Sequence, residues 1–399
     1  MVILDEPYAS KPLVEWLFDS HHPVLDNEFS RRLAQGGYAL NLVGEEEAIR
    51  RLESGERVYS NSENALAWIS SHVRNETLCR SIALFKDKAA MRERLAKLDP
   101  DLFFRVLRHE ELADVDPADL PLPVVLKPSV GFCSMGVYVI ASAEDWTRAL
   151  DDIAAAASSW NERYPGSVID TRTYLVEGYL EGDEYALDAY FDEEGAPHLL
   201  NVYRHQFAGK EDTSDRLYCV GEKIVAETAP RFVAWLSLVN EIVGARGIPV
   251  HVEVRVDGGH IAPIEFNPLR FAGLGGTDLA YYAWGMRTYA AFLEGEEPDL
   301  ARLTRGGSTW SMSLLTPSST DDLSRPFDYE ALTSHFGHVL EMRRFDVERV
   351  GSWGFLFLET AAADRAELDY LLRVDLSQFL GDPGACSAAS SRVARTAEG

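Results

Sequence analysis

The chain has 399 residues, more than one compact core accommodates, so two or three units are expected. Acidic residues outnumber basic ones by 64 to 38, and the resulting net charge of −26 disfavours nucleic acid and anionic membrane as partners. A hydrophobic share of 46% with 26% charged residues is ordinary for a soluble globular protein. MVILDEPYAS lacks the basic start and long apolar segment of a signal peptide, no run reaches the ~18 apolar residues of a membrane span, and Cys79, Cys133, Cys219 and Cys386 form no CxxC pair. A cytoplasmic protein with reduced thiols is expected, with neither a zinc site nor a disulfide framework.

Up to residue 84, short apolar runs (Val2 to Leu4, Tyr38 to Val43, Arg57 to Tyr59) alternate with helical stretches, one of them Asn64 to Val73 after the capping-type run SNSEN. This reads as a small α/β domain, without the GxGxxG of a dinucleotide fold. In KDKAAMRERLAKL, Asp87 is an N-cap and Lys88 lies in the first helical turn, from which it can project towards a ligand. Pro123 to Ile140, PVVLKPSVGFCSMGVYVI, reads as a strand carrying Lys127, a glycine-rich hairpin loop and a second strand. Gly131, Ser134 and Gly136 permit tight turns that let backbone N–H groups face an anion. It is not a Walker loop, which needs GxxxxGK[ST] opening a helix.

Ser142 to Asp145 then fits a capping pattern, followed by Trp146, Ala149, Leu150, Ile153 and Ala157 at helical spacing. TYLVEGYLEGDEYALDAYF gives two strands around Gly182, and DEEG turns the chain into HLLNVYRHQF. A helix is expected from Ala229 to Val243, then the hairpin HVEVRVDGGHIAPIEFN, the strands WSMSLLT and WGFLFLET, and a last helix from Ala366 to Phe379. The tail from residue 384 to 399 is small and polar and reads as disordered. No internal repeat is present.

In HVEVRV, His251, Glu253 and Arg255 share one face, and Glu265 and Asn267 share one face of the second strand. A two-residue loop puts Glu253 and Glu265 on opposite faces. A three-residue loop, Asp257 to Gly259 with Gly259 left-handed, pairs His251 with Glu265 and leaves Glu253 diagonal to Glu265, with Asn267 nearby. Two carboxylates and an amide oxygen crowded together call for a cation, and hard oxygen ligands suit magnesium carrying nucleotide phosphates. The competing reading is a solvent-facing strand of alternating polar residues. Against it, Ile264 and Phe266 need a core, and Asn267-Pro268 stops the strand abruptly.

KPSVGFCSMGV, VEGYLEGDE and EVRV followed by IEFNP stand in an order that resembles the ATP-grasp superfamily, and more closely its carboxylate–amine ligase branch, from Lys86 to Phe379. NPLRFAGLGGTDLAYYAWG and LDEPYAS resemble a subgroup without assigned substrates. The resemblance implies an α/β and α+β protein. A small N-terminal α/β (pre-ATP-grasp) domain, residues 1–84, precedes an ATP-grasp domain, residues 85–383, whose mobile lid subdomain is about 100–178. ATP lies between two α+β subdomains, with Mg2+ (two ions, Mn2+ as substitute), a small carboxylate and an amine such as an amino acid as partners.

Carried onto this chain, Lys88 and Lys127 look like the phosphate-binding lysines, with Lys86 competing for the role of Lys88. Ser134 and Gly136 look like the closing loop. Glu177, Gly178, Tyr179 and Leu180 resemble the backbone hinge that reads adenine, and Glu184 the acceptor of the ribose hydroxyls. Glu253, Glu265 and Asn267 match the magnesium ligands, with Glu265 bridging. The family's arginine two residues after the asparagine is replaced by Leu269, and Arg270 follows one later as either the acyl-phosphate contact or a structural ion pair. His251 either orients substrate or metal-bound water, or is merely hydrogen-bonded. Cys133 reads as a small loop residue, and Lys210 as either a phosphate contact or an exposed lysine. The implied chemistry is ATP-dependent amide formation through an acyl phosphate. Ligation to another nucleophile, phosphorylation of a small acceptor and a non-catalytic ATP-binding module are the alternatives.

Overall fold

The short apolar runs at the start form strands β1 (Val2–Ile3), β2 (Pro23–Leu25), β3 (Asn41–Val43) and β4 (Tyr59–Ser60), parallel and ordered β3-β2-β1-β4. Parallel neighbours require crossovers, supplied by helices α1 (Lys11–Ser20), α2 (Glu28–Gln35) and α3 (Glu45–Glu53). Ser10 caps α1 by accepting from the Leu13 amide, and Asn27 with Ser30 forms a capping box on α2. The computed structural model describes residues 1–131, 136–163, 170–209, 212, 214–296 and 307–382. The expected roles of Cys133, Ser134 and Lys210, and the expected disordered tail, fall outside them.

Helix α4 (Ala65–His72) leads to α5 (Glu76–Lys86) and α6 (Lys88–Leu95), which meet at Asp87. Asp87 has extended backbone angles and accepts from the Ala90 amide at 3.0 Å, so it ends one helix and caps the next. Lys86 is therefore the last residue of α5 and Lys88 the first of α6. Strands β5 (Phe104–Arg108), β6 (Val124–Val130), β7 (Tyr138–Ile140) and β8 (Asp170–Gly178) follow, with α7 (Ala143–Arg163) between the last two. They form an antiparallel sheet ordered β5-β8-β6-β7, with a core of its own in which Trp146, Ala149 and Ile153 of α7 pack with Leu126, Ile140, Tyr174 and Val176.

The chain continues through β9 (Asp183–Phe191), β10 (Pro197–Gln206), β11 (Leu217–Gly221), α8 (Glu222–Val243), β12 (Ile248–Asp257) and β13 (His260–Pro268). Helix α8 starts seven residues before the expected Ala229 and carries Pro230 internally. After β13 come α9 (Leu279–Trp284), α10 (Thr288–Glu294), β14 (Ser308–Leu315), α11 (Tyr329–Thr333), β15 (Val339–Arg344), α12 (Val347–Val350), β16 (Gly354–Ala361) and α13 (Ala366–Arg373). The expected last helix is broken: Val374 is extended, and Asp375 caps a separate 3-10 turn, Leu376–Phe379.

Two compact units emerge, one from Met1–Val202, Thr228–Thr277 and Arg287–Pro298, the other from Tyr203–Glu227, Asp278–Met286 and Asp299–Gly399, in each case over the described residues. The first contains both sheets above and the strand order β13-β12-β9. The second contains β11-β14-β16-β15, the end of β10 paired to β11, and a core of Leu217, Leu315, Trp353, Leu356 and Leu371. Among the described residues no helix is long and apolar enough to cross a membrane.

Candidate active site

The hairpin of β12 and β13 brings its carboxylates together by a different route from the three-residue loop. Asp257 pairs with His260, leaving a two-residue loop, Gly258-Gly259, with the left-handed φ of 56° on Gly258 and not Gly259. Glycine with positive φ at the first central position is the mark of a type II′ turn, whose twist suits a hairpin. That loop alone would separate the carboxylates. A β-bulge restores them: Val254 pairs with Pro263 and Glu253 with Glu265, so Ile264 is an extra residue on β13 and the alternation of sides is reset. Glu253 thus lies directly opposite Glu265 instead of diagonal to it, and His251 lies opposite Asn267 instead of Glu265.

Three lysines and one arginine gather at this edge. Lys88 Nζ is 2.9 Å from Glu265 Oε2 and donates to the Gly131 carbonyl at 3.0 Å. Lys86 donates to the same carbonyl at 3.2 Å and pairs with Glu63. Lys127 Nζ lies 2.6 Å from Glu177 Oε1 and 3.3 Å from the Ile264 carbonyl at the bulge. Arg92 shares Glu177 through its Nε at 2.8 Å and reaches the Pro263 carbonyl at 2.7 Å. The bulge therefore also aims two carbonyls at cations from α6 and β6.

Burial sets the charges. Glu177 is 2% exposed and Lys127 4%. Burial alone would raise Glu177, but Lys127 and Arg92 outweigh it and hold the carboxyl below its ordinary value. Lys127 is pushed down by burial, which its one shared carboxylate does not overcome. Lys88 goes the other way, because Glu265 more than offsets the burial. Glu265 is likewise held well below the carboxylate range, chiefly by Lys88 acting against burial.

The other predicted residues fall as follows. Glu184 is paired to Arg255 at 2.8 and 2.9 Å, and the Arg255 guanidinium lies 5.9 Å from the centre of the Tyr179 ring. The amides of Gly178 and Tyr179 donate to the carbonyls of Phe103 and Pro123 at 2.9 and 3.1 Å, and Leu180 continues the connection to β9. Gly136 has a φ of 72°, the left-handed conformation expected of a loop glycine. His251 Nδ1 is 2.7 Å from buried Asp188, which also accepts from the Ala272 amide and the Thr277 hydroxyl, while Nε2 faces Glu253 at 3.7 Å.

Arg270 is in an ion pair. Its Nε and Nη2 are 3.0 and 2.7 Å from Glu63 Oε1. The shift by one position has a backbone cause. Buried Leu269 is left-handed at φ 66°, pinned by its amide to the Pro249 carbonyl and by its carbonyl to the Ser60 amide. Glu63, Arg92 and Asp188 escape sequence reasoning because their partners lie 23 to 207 positions away.

Among the described residues no group of three or more His, Cys, Asp or Glu is arranged for a metal. The hairpin set of two carboxylates and an amide nonetheless fits a hard divalent cation. Glu265 already holds a cationic ammonium on one oxygen and the Asn267 Nδ2 on the other, at 2.9 Å each, and turning the amide over presents its oxygen instead.

Residues 120–278 match the family model described as an ATP-grasp domain. No curated protein matches the chain. Among solved structures, it resembles an L-amino acid ligase from Bacillus licheniformis at 15% identity and TM-score 0.66, covering 92% of this chain and 95% of that one. An N5-carboxyaminoimidazole synthase from Aspergillus clavatus, in complex with ADP and 5-aminoimidazole ribonucleotide, matches at 16% and 0.61, covering 94% and 98%. The biotin carboxylase domain of a 2-oxoglutarate carboxylase from Hydrogenobacter thermophilus, with MgADP, ADP and bicarbonate, matches at 12% and 0.57, covering 90% and 86%. At these identities the likeness is one of fold.

Proposed function

From the match of residues 120–278 to the ATP-grasp domain model, we propose that the chain is an ATP-dependent carboxylate–amine ligase of that superfamily, acting in the cytoplasm on a small carboxylate and an amine such as an amino acid. The observation that carries this reading is the direct opposition of Glu253 and Glu265 across the hairpin, with Asn267 two residues on and Lys88 against Glu265. The domain reading goes with it: residues 1–84 precede an ATP-grasp domain of 85–383, whose glycine-rich hairpin lies in a lid of about 100–178.

Lys88 and Lys127 bind phosphate oxygens as point charges, exchanging Glu265 and Glu177 for the nucleotide. Glu177 to Leu180 positions the adenine and Glu184 the ribose, with Ser134 and Gly136 in the loop that closes over the phosphates. Glu253, Glu265 and Asn267 hold Mg2+, which when bound supplies charge neutralisation across the phosphates. An oxygen of the substrate carboxylate attacks the γ-phosphorus and ADP leaves. The amine nitrogen then attacks the acyl carbon, the bond from carbon to the phosphate oxygen breaks, phosphate departs and the amine proton passes to solvent. Lys127 and the loop amides meet the developing charge, Arg270, once released from Glu63, contacts the acyl phosphate, and His251, held by Asp188, orients the substrate. Lid closure excludes water that would hydrolyse the acyl phosphate.

Screening pairs of carboxylates and amines for amine-dependent ADP release, with product mass, tests the proposal. The expected product is lighter than its two substrates together by one water. A stable phosphorylated acceptor would replace the ligase by a kinase, and nucleotide binding without turnover across a broad panel would replace it by a binding module.

A further inference from the structure

Glu63 belongs to no element of the expected site, yet it sits between two of the cations in it. It lies on the connection between β4 and α4, and both its carboxylate oxygens are taken by cations: Oε1 by Nε and Nη2 of Arg270, Oε2 by Lys86. The side chains of Lys86, Glu63 and Arg270 are 8, 11 and 14% exposed, so the contact is largely withdrawn from water.

The contact extends further. Lys86 and Lys88 donate to the one Gly131 carbonyl, and Lys88 pairs with Glu265. Along this chain three cations face two carboxylates. Gly131 also opens the loop that the proposed function places over phosphate. Both donors of Arg270 converge on a single oxygen of Glu63, and Nη1 is spent on the Phe271 carbonyl. Glu63 therefore does not match the two-point fork that an arginine offers a carboxylate or phosphate. A phosphoryl group offers three oxygens and up to two charges, enough to engage the fork and Lys86 together.

We propose that Glu63 is an internal occupant of an anion subsite built by Lys86 and Arg270, and that a phosphoryl group enters this subsite by displacing it. The backbone around Glu63 is fixed: the Ser62 hydroxyl and the Asn64 side chain both donate to the Glu6 carbonyl, and the Leu66 amide donates to the Glu63 carbonyl. Only the side-chain arm has to rotate. The exchange makes binding selective for an anion that outcompetes a carboxylate already in place, which favours a doubly charged phosphoryl group over a second carboxylate. The assignment of the ligand rests on the proposed function, because the identification of the loop as a phosphate loop does.

Titration of nucleotide-free protein with inorganic phosphate, and with acetate as the singly charged control, tests this by calorimetry without turnover. The expected result is phosphate binding at least about tenfold tighter in Glu63→Gln and Glu63→Ala than in the wild type, with the gain abolished when Arg270→Ala is added. Glu63→Asp, whose shorter arm keeps the charge but reaches less far, should fall between them. Equal or weaker phosphate binding in variants that melt as folded proteins overturns the proposal, as does a gain that survives the loss of Arg270. If all variants fail to fold, the wild type decides at pH 7.5: phosphate should bind it at least about tenfold tighter than acetate, and equal or weaker binding of phosphate overturns the exchange. Repeating the titration with saturating MgADP and with a magnesium complex of a non-hydrolysable ATP analogue separates the sources. Competition by the analogue alone identifies the nucleotide's terminal phosphate, and competition by neither identifies the acyl phosphate. Since no step requires catalysis, a negative ligase screen leaves this result standing, and the converse holds too.

Discussion

Replacing Glu265 by Gln strands the ammonium of Lys88, and the cost follows from the geometry. The two charges are 2.9 Å apart and both side chains are largely buried, at 9 and 15% exposure. At an effective dielectric of 20, that separation corresponds to a gross attraction of about 6 kcal/mol, part of which is cancelled by desolvation. Removing one partner of a buried pair typically costs ~3–5 kcal/mol. Lys88 keeps the Gly131 carbonyl and a glutamine still accepts from Asn267, so about 3 kcal/mol is expected. The assay is urea denaturation followed by tryptophan fluorescence, for which Trp235, 6.2 Å from the Phe266 ring on β13, is a local reporter. The double variant Lys88→Met, Glu265→Gln removes the stranded charge and should regain about 2 kcal/mol relative to Glu265→Gln. MgATP should stabilise neither variant as it does the wild type. A loss below about 1 kcal/mol in Glu265→Gln, or a double variant no more stable than the single, would refute the reasoning.

Lys127→Ala should leave the protein folded, because Arg92 still holds Glu177 at 2.8 Å, but weaken ATP binding by about 10- to 100-fold, as loss of a charged hydrogen bond implies; isothermal titration measures it. Burial would raise Glu63, but Lys86 and Arg270 bring it from 4.5 down to about 2. Its contribution is therefore complete above pH 4.5 and lost as the pH falls towards 2, and by linkage it amounts to about 3 kcal/mol. Denaturation curves across that window should fall more steeply for the wild type than for Glu63→Gln, and parallel curves would contradict the assignment. Gly182→Ala should cost more than about 2 kcal/mol, because φ is 98° and the new Cβ would lie 2.2 Å from the Val256 carbonyl oxygen. Gly244→Ala, at φ 71° with open space around it, should cost only the ~1 kcal/mol of the left-handed backbone, so thermal melts of the pair separate the close approach from the strain.

Local signals made part of this molecule legible in its sequence. Asp87 announced the helix that starts at Lys88, Ser142 and Asp145 announced α7, and the alternation in HVEVRV announced β12. The convergence of Glu253 and Glu265 was foreseen for the wrong reason. The pattern invites a three-residue loop, whereas the chain uses a two-residue turn and a bulge at Ile264, whose side chain carries no bulge signal. Strands β2, β5, β11 and β15 were missed because they are short or lack clean alternation: in β5, Arg105 and Val106 are both exposed. The left-handed Leu269 has no sequence signature, since its conformation is imposed by Pro249 and Ser60. The pairing of cations with Glu63 and Glu177 depends on partners brought together only by the fold, and so was beyond a linear reading.

The central claim is that a carboxylate is activated by transfer of a phosphoryl group, and the fate of the carboxylate oxygen tests it most directly. With a carboxylate substrate carrying 18O in both oxygens, one labelled oxygen should leave with each phosphate released and one should remain in the amide, at a ratio of one phosphate to one product. Unlabelled phosphate, with both labelled oxygens left on the acid, would contradict an acyl phosphate and with it the ligase account.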